Sequence, residues 1–341
     1  MVRKSLIAAA LLAVASPLVA QDEWVWTSDR PDGEAPLGVF GARTLDAGTI
    51  QVSYQWIQRN SMGIWYGKDS LELSTTLQLY EVAPLTLSDR RQTAQVAFGV
   101  TDALTVRARG AFALIERQSL RDTGTFFIMS ANALADIEAE ATYNVIRQGS
   151  YRVDVTGGAV IPIGKSATYA VSPYSTPDEE PTPYDMRPGA GSFGIFGGAS
   201  FDVQNEVGSV GGQFKARTYV NENSRGFTLG DRYEASGWAS YNVNDDIGIS
   251  AGVRWEKWGN IDGADAFLST VAMRDPMNAG VFLSGLRASM PLGINIMMPA
   301  GSMLAGHRFA FEVIYALHHD YDGPQLGLDW GMNIGYFVPI G

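Results

Sequence analysis

The chain contains no cysteine. Disulfides are excluded, as is a lipid anchor on a processed N-terminal cysteine, so stability has to come from backbone pairing and packing. Beyond the first residues no apolar run approaches the ~18 residues that a membrane-crossing helix requires. Positive charge is in deficit: 25 Lys and Arg stand against 36 Asp and Glu, a formal net charge of −11. That balance argues against nucleic acid as a partner. Histidine is limited to His307, His318 and His319. Glycine-rich pieces such as Gly189-Ala190-Gly191 lack the Lys-Ser or Lys-Thr that would complete a phosphate-binding loop.

Residues 1–20 read as a secretory signal peptide. Arg3 and Lys4 supply the positive start and residues 6–14 the apolar core. Ala13-Val14-Ala15 or Leu18-Val19-Ala20 offers the cleavage site. Removing Arg3 and Lys4 makes the exported chain still more acidic, which suits a surface where divalent cations bridge lipopolysaccharide headgroups. Residues 21–48 carry Pro31, Gly33, Pro36, Gly38 and Gly41, which break any regular period. A periplasmic lead that folds back as a plug into the mouth of the next domain, and a disordered linker, both fit this stretch.

What the chain does have is alternation. In its last part Phe309, Phe311, Val313, Tyr315 and Leu317 alternate with Arg308, Ala310, Glu312, Ile314 and Ala316. After a polar turn over residues 318–324, Leu326, Leu328, Trp330, Met332, Ile334 and Tyr336 alternate with Gly327, Asp329, Gly331, Asn333 and Gly335. A period of two marks strands with one apolar face. Strands of about ten residues can cross a bilayer at a tilt. Residues 49–58, 92–100, 104–114, 137–145, 151–161, 192–202, 210–219, 231–243, 247–258 and 280–290 carry the same signal. Together they predict about twelve strands over residues 49–341, joined by alternating long loops and tight turns. A cysteine-free chain with 38 glycines, 11% aromatics and mean hydropathy of −0.02 fits a wall that hides polar residues inside. The expected fold is all-β: a transmembrane antiparallel β-barrel in the bacterial outer membrane, with short periplasmic turns and long extracellular loops.

Alternation alone does not say which face is inside. The charges do. Arg107, Arg109, Glu138, Glu140, Arg152, Asp154, Lys215, Arg217, Arg232, Glu234, Arg254, Glu256, Arg308, Glu312 and Asp329 all fall on the non-aromatic faces. Facing lipid, each would cost roughly 2–4 kcal/mol at the bilayer midplane, whereas opposite signs on neighbouring strands can pair across a lumen. They are the expected pore-lining residues. A soluble β-sandwich would have to explain strands longer than the usual five or six residues.

Several segments resemble a known group. Ala35-Pro36-Leu37-Gly38-Val39-Phe40-Gly41, Thr228-Leu229-Gly230-Asp231-Arg232-Tyr233, residues 258–265, Gly306-His307-Arg308 and Asp322-Gly323-Pro324-Gln325-Leu326 are similar to bacterial outer-membrane proteins labelled transporters, related to the group named for the MetA pathway of phenol degradation. The resemblance implies an outer-membrane barrel that passes small organic molecules. Some members of the group are rich in methionine and histidine; this chain lacks such clusters.

Other chemistry has weaker support. His318, His319, Asp320 and Asp322 combine imidazole and oxygen ligands for a divalent metal, but Asp-Gly is equally the chemistry of a plain turn. None of the three histidines is followed two residues on by the serine that outer-membrane phospholipases place there. The expectation is a non-enzymatic channel without cofactor or metal. Its partners are outer-membrane lipids and lipopolysaccharide, the barrel-assembly machinery and a small, aromatic or hydrophobic solute. The competing expectation is a closed structural or adhesive barrel without transport, its lumen packed by salt bridges.

Overall fold

A computed structural model of the chain describes residues 24–340; the signal peptide expected over residues 1–20 lies outside them. The wall is built from β1 (Ile50–Gly67), β2 (Val82–Thr101), β3 (Leu104–Arg121), β4 (Phe126–Leu134), β5 (Ile137–Gln148), β6 (Tyr151–Ile161), β7 (Gly194–Gln204), β8 (Gly208–Tyr219), β9 (Arg232–Asn242), β10 (Ile247–Trp258), β11 (Gly285–Met297) and β12 (Arg308–Ile340). All neighbours are antiparallel, and β1 pairs with β12 from Ile50↔Ile340 onward to close the sheet. Closure leaves no unpaired edge for the bilayer to solvate. The closed path contains 11 strands by continuous run, with β4 and the short strand Asp69–Leu71 outside it.

The last run, β12, is 33 residues long. Its first limb, residues 308–321, pairs with β11, and its second, residues 321–340, pairs with β1. Asn333 Nδ2 donates to Glu312 Oε1 at 2.8 Å, and His307 Nδ1 lies 2.6 Å from the Tyr336 hydroxyl, so the run folds back on itself. Gly323 makes the reversal possible. Its φ of +133° suits only glycine, and a Cβ there would collide with Phe282. Counted by limb, twelve strands surround the interior.

The wall is inverted relative to a soluble protein. Val52, Tyr54, Val96, Phe98, Val106, Tyr143, Phe201, Phe214 and Trp255 are exposed on its outside, while Ser53, Gln55, Gln95, Arg152, Asp154, Asp202 and Glu312 are buried within. Large exposed apolar faces of this extent mark a surface covered by something other than water. That distribution removes the sandwich alternative, in which the same apolar faces would be buried.

Four features differ from expectation. β1, β2 and β3 run well past residues 58, 92 and 114. Beyond the bilayer the two faces no longer need opposite polarity, so the period-two signal fades while pairing continues. The partner of the upper half of β3 is β4, and of its lower half β5. The break between them is fixed by the Asp136 carboxylate, which accepts the amides of Gly164 at 3.0 Å and Ala190 at 2.7 Å. Pro291 lies inside β11, at a gap where β10 pairing passes from Ala251↔Leu292 to Arg254↔Ser289, so its missing N–H is not required there. His318 and His319 are strand residues, not part of a turn.

An outward residue near the middle of the wall tests the inversion directly. Val96→Arg is expected to destabilise the folded barrel by roughly 2–4 kcal/mol in urea titrations in lipid vesicles. An unchanged midpoint would place Val96 away from lipid.

Candidate functional site

The interior is occupied from one end by residues 24–48, which form no strand and contain one short 3-10 helix, Pro31–Gly33. A coil in such a place must satisfy its backbone one group at a time, and the polar inner face supplies the partners. Ser209 donates to the Asp32 carbonyl at 2.9 Å and Arg308 to the Ala35 carbonyl at 3.1 Å. Gln213 donates to the Phe40 carbonyl at 2.9 Å, Thr156 to that of Gly41 at 2.7 Å and Ser200 to that of Ala42 at 3.0 Å. The Leu45 amide donates to Thr105 at 2.7 Å. Charged contacts add to these: Arg43–Asp202 at 3.2 Å and Arg308–Glu34 at 2.9 Å. Small apolar clusters, Leu37 with Ala310 and Phe337, and Ala35 and Ala42 with Trp238, complete the packing. A cavity of about 60 Å³ lies between segment and wall, lined by Phe40, Arg43, Gln95 and Arg107.

Most of the expected lumen charges meet as pairs. Glu138 sits between Arg109 and Arg217, the latter at 2.6 Å. Glu140 sits between Arg107 at 3.8 Å and Lys215 at 3.7 Å. Arg254 reaches Glu234 at 3.4 Å, and Arg152 reaches Asp154 at 3.7 Å. Glu256 pairs with Arg287 at 2.5 Å, and Glu312 accepts from Asn333 and from the Gly38 amide. Two expected residues stand apart. Arg232 is exposed and makes no ion pair or side-chain hydrogen bond among the described residues. Asp329 is exposed at a β-bulge, because the register jumps from Asn60↔Trp330 to Ser61↔Leu328 and leaves it unpaired.

The metal candidates are not brought together. His319 stacks near Trp65 (4.7 Å) and Tyr321 (5.2 Å), Asp320 reaches Lys68 at 3.8 Å, and Asp322 accepts from Ser284 at 3.2 Å. No cluster of three potential ligands forms among the described residues.

The sequence reading missed Arg43, Asp202, Arg287 and Arg117. Asp202 sits on the polar face of an expected strand and was legible. Arg287 was obscured by the displaced strand around Pro291, and Arg117 by ending the third strand at residue 114.

At the other end the loops fold inward. Arg117 bridges Asp185 and Asp275. Asp265 binds Arg187 at 3.0 Å and Arg225 at 2.8 Å, and it caps the helix Ala266–Thr270 through the Phe267 amide at 2.9 Å. Tyr184, Phe227, Ile261 and Leu268 form an apolar core under these loops. Between loops and wall lies a cavity of about 310 Å³. Burial pushes the Asp185 carboxyl up despite Arg117 beside it. Burial also pushes Asp265 up, but the Arg225 hydrogen bond and the Arg187 charge outweigh it and hold the carboxyl below its ordinary value.

A depressed carboxylate contributes stability above its unfolded pKa of about 3.9 and loses it as pH falls through the lower folded value. Asp265→Asn should therefore speed amide exchange over residues 265–270 roughly tenfold to a hundredfold at pH 7. The difference from the native chain should vanish in strong acid. Equal exchange at pH 7 would remove Asp265 as the lock of these loops.

No protein-family model matches the chain, and no curated protein does. Among solved structures, an outer membrane channel from Pseudomonas putida is similar over 90% of this chain and 100% of its own, with a TM-score of 0.62 and 11% identity. The translocator domain of an autotransporter from Neisseria meningitidis covers 98% of this chain and 95% of its own, with a TM-score of 0.45 and 11% identity. The toluene transporter of Ralstonia pickettii covers 94% and 100%, with a TM-score of 0.42 and 10% identity. The first of these similarities establishes the fold.

Proposed function

We propose that this outer-membrane β-barrel is a passive channel for small solutes, aromatic or hydrophobic ones among them, closed at rest by its own residues 24–48. The observation that carries the reading is how the interior is filled. A structural barrel of this size can fill its lumen with interlocking wall side chains. Here the lower lumen instead holds a coil pinned by single hydrogen bonds to Ser209, Gln213, Thr156, Ser200 and Thr105. These contacts, like the Arg43–Asp202 and Arg308–Glu34 ion pairs, are made by wall side chains and not by the wall's backbone ladder, so the coil can leave without unfolding the wall. Displacing it would expose the Arg109–Glu138–Arg217 and Arg107–Glu140–Lys215 groups as a charged constriction that sets the field along the path.

In this reading the short-turn end and residues 24–48 face the periplasm and the folded-in loops face outward. Lipopolysaccharide and the barrel-assembly machinery are partners, as for any protein inserted in this membrane. The fold shared with an outer membrane channel supports passive transport, and the aromatic-lined cavity under the loops supports the solute class.

Uptake of a radiolabelled monoaromatic hydrocarbon by cells that carry an intact lipopolysaccharide layer and lack their own aromatic channels tests the proposal. Expression of the chain should raise the initial uptake rate well above the vector control. A rate equal to the control, with the protein folded and surface-exposed, would leave the structural barrel as the function.

A further inference from the structure

The cavity of about 310 Å³ beneath the loops has more definite chemistry than an apolar vestibule. Its size is at the lower end of small-molecule sites, about 300–1,000 Å³. Two of its aromatic walls are fixed in place. Trp258 Nε1 donates to the Leu283 carbonyl at 2.7 Å. The Tyr184 hydroxyl accepts the Asp265 amide at 2.8 Å, and its ring meets Phe227 edge-on at 5.1 Å. Fixed walls lower the ordering cost of binding a flat ring between them.

Two charged groups line this cavity, Arg232 and Asp185. Arg232 lies directly across the ladder from Arg217 on one side and from Trp258 on the other. Arg217 is committed to Glu138 at 2.6 Å, and Glu256 nearby is committed to Arg287 at 2.5 Å. Arg232 is left with no ion pair among the described residues. Like charges opposed across a ladder repel, and an anion held by Arg232 relieves that repulsion. Asp185 is the second group. Its Oδ1 accepts from Arg117 at 3.0 Å, while its Oδ2 is buried with no hydrogen-bond partner. A carboxylate oxygen accepts more than one hydrogen bond, so the Asp185 carboxyl group that lines the cavity can accept a ligand hydroxyl as well.

We infer that this cavity binds a small hydroxylated aromatic carboxylate, with its ring between Tyr184 and Trp258, its carboxylate on Arg232 and its ring hydroxyl donating to Asp185. The inference takes its biological use from the proposed channel, as the solute recognised before passage, but the binding itself does not depend on transport.

Equilibrium dialysis of the refolded full-length chain in detergent tests it, with radiolabelled 4-hydroxybenzoate, benzoate and phenol as probes. The native chain should bind 4-hydroxybenzoate saturably, and tighter than either benzoate or phenol. Arg232→Gln should weaken 4-hydroxybenzoate roughly tenfold to a hundredfold, the range of a charge-assisted hydrogen bond, and leave phenol unchanged. Equal binding of the three probes by the native chain, or no loss in Arg232→Gln, would overturn the assignment. The native-chain comparison decides the matter even if the variant fails to refold. Saturable binding with no uptake in cells would refute the channel and keep the site; uptake with no saturable binding would do the reverse.

Discussion

A bilayer solvates neither backbone polar groups nor charges, and everything in this molecule follows from that. The backbone answers by closing the sheet on itself, β1 against the second limb of β12, so that every wall strand is paired on both sides within the membrane. The side chains answer by sorting: Tyr54, Val96 and Phe214 outward, Arg152, Asp154 and Glu312 inward. Sorting creates a second problem. The inner face gathers buried charges of both signs away from bulk water, where they are stable only if they neutralise one another. Glu138 between Arg109 and Arg217 is one result. Such groups add little net stability, because desolvation offsets attraction, yet loss of one partner strands the other at a cost of about 3–5 kcal/mol. The ladder is therefore difficult to remove by single substitutions.

The two ends of the lumen are closed by different physics. From the short-turn end, residues 24–48 are held mainly by separate polar contacts, single hydrogen bonds and the Arg43–Asp202 and Arg308–Glu34 ion pairs, with small apolar clusters at Ala35, Leu37 and Ala42. From the loop end, Tyr184, Phe227, Ile261 and Leu268 bury an apolar cluster, and ion pairs on Arg117 and Asp265 lock the loops to the wall and to one another. A closure made of separate polar contacts can be exchanged for water stepwise. A closure made of buried apolar area opens as a unit. The proposed gate therefore lies at the first end and the proposed recognition cavity at the second.

The barrel was legible because the bilayer imposes a strict period of two, and charges at mid-strand identify the inner face. Where that constraint ends, legibility ends with it. On β1, residues 59–67 continue the strand with no difference between faces, so pairing there could not be read. Pro291 looks like a strand breaker, and only the gap in the β10–β11 ladder shows why it is tolerated. Asp329 follows the alternation by sequence and leaves it at a bulge that no local residue announces. The inner-face charges of Glu138, Glu140, Lys215, Arg217 and Arg308 were legible; Arg43 and Glu34 in the N-terminal segment, which pair with Asp202 and Arg308, were not, because a coil carries no period. Likewise the proline-rich stretch that supplies Tyr184 and Asp185 gave no sign that it turns inward.

The central claim is that residues 24–48 close the lumen and that the charged groups above them line the path once it is open. Single-channel recording in planar bilayers tests this most directly, comparing the refolded mature chain with the same chain lacking residues 21–48. The account predicts a largely silent mature chain and stable conductance steps after the deletion, with ion preference shifted by Arg107→Ala. Steady open-pore conductance from the mature chain, unchanged by the deletion, would contradict it.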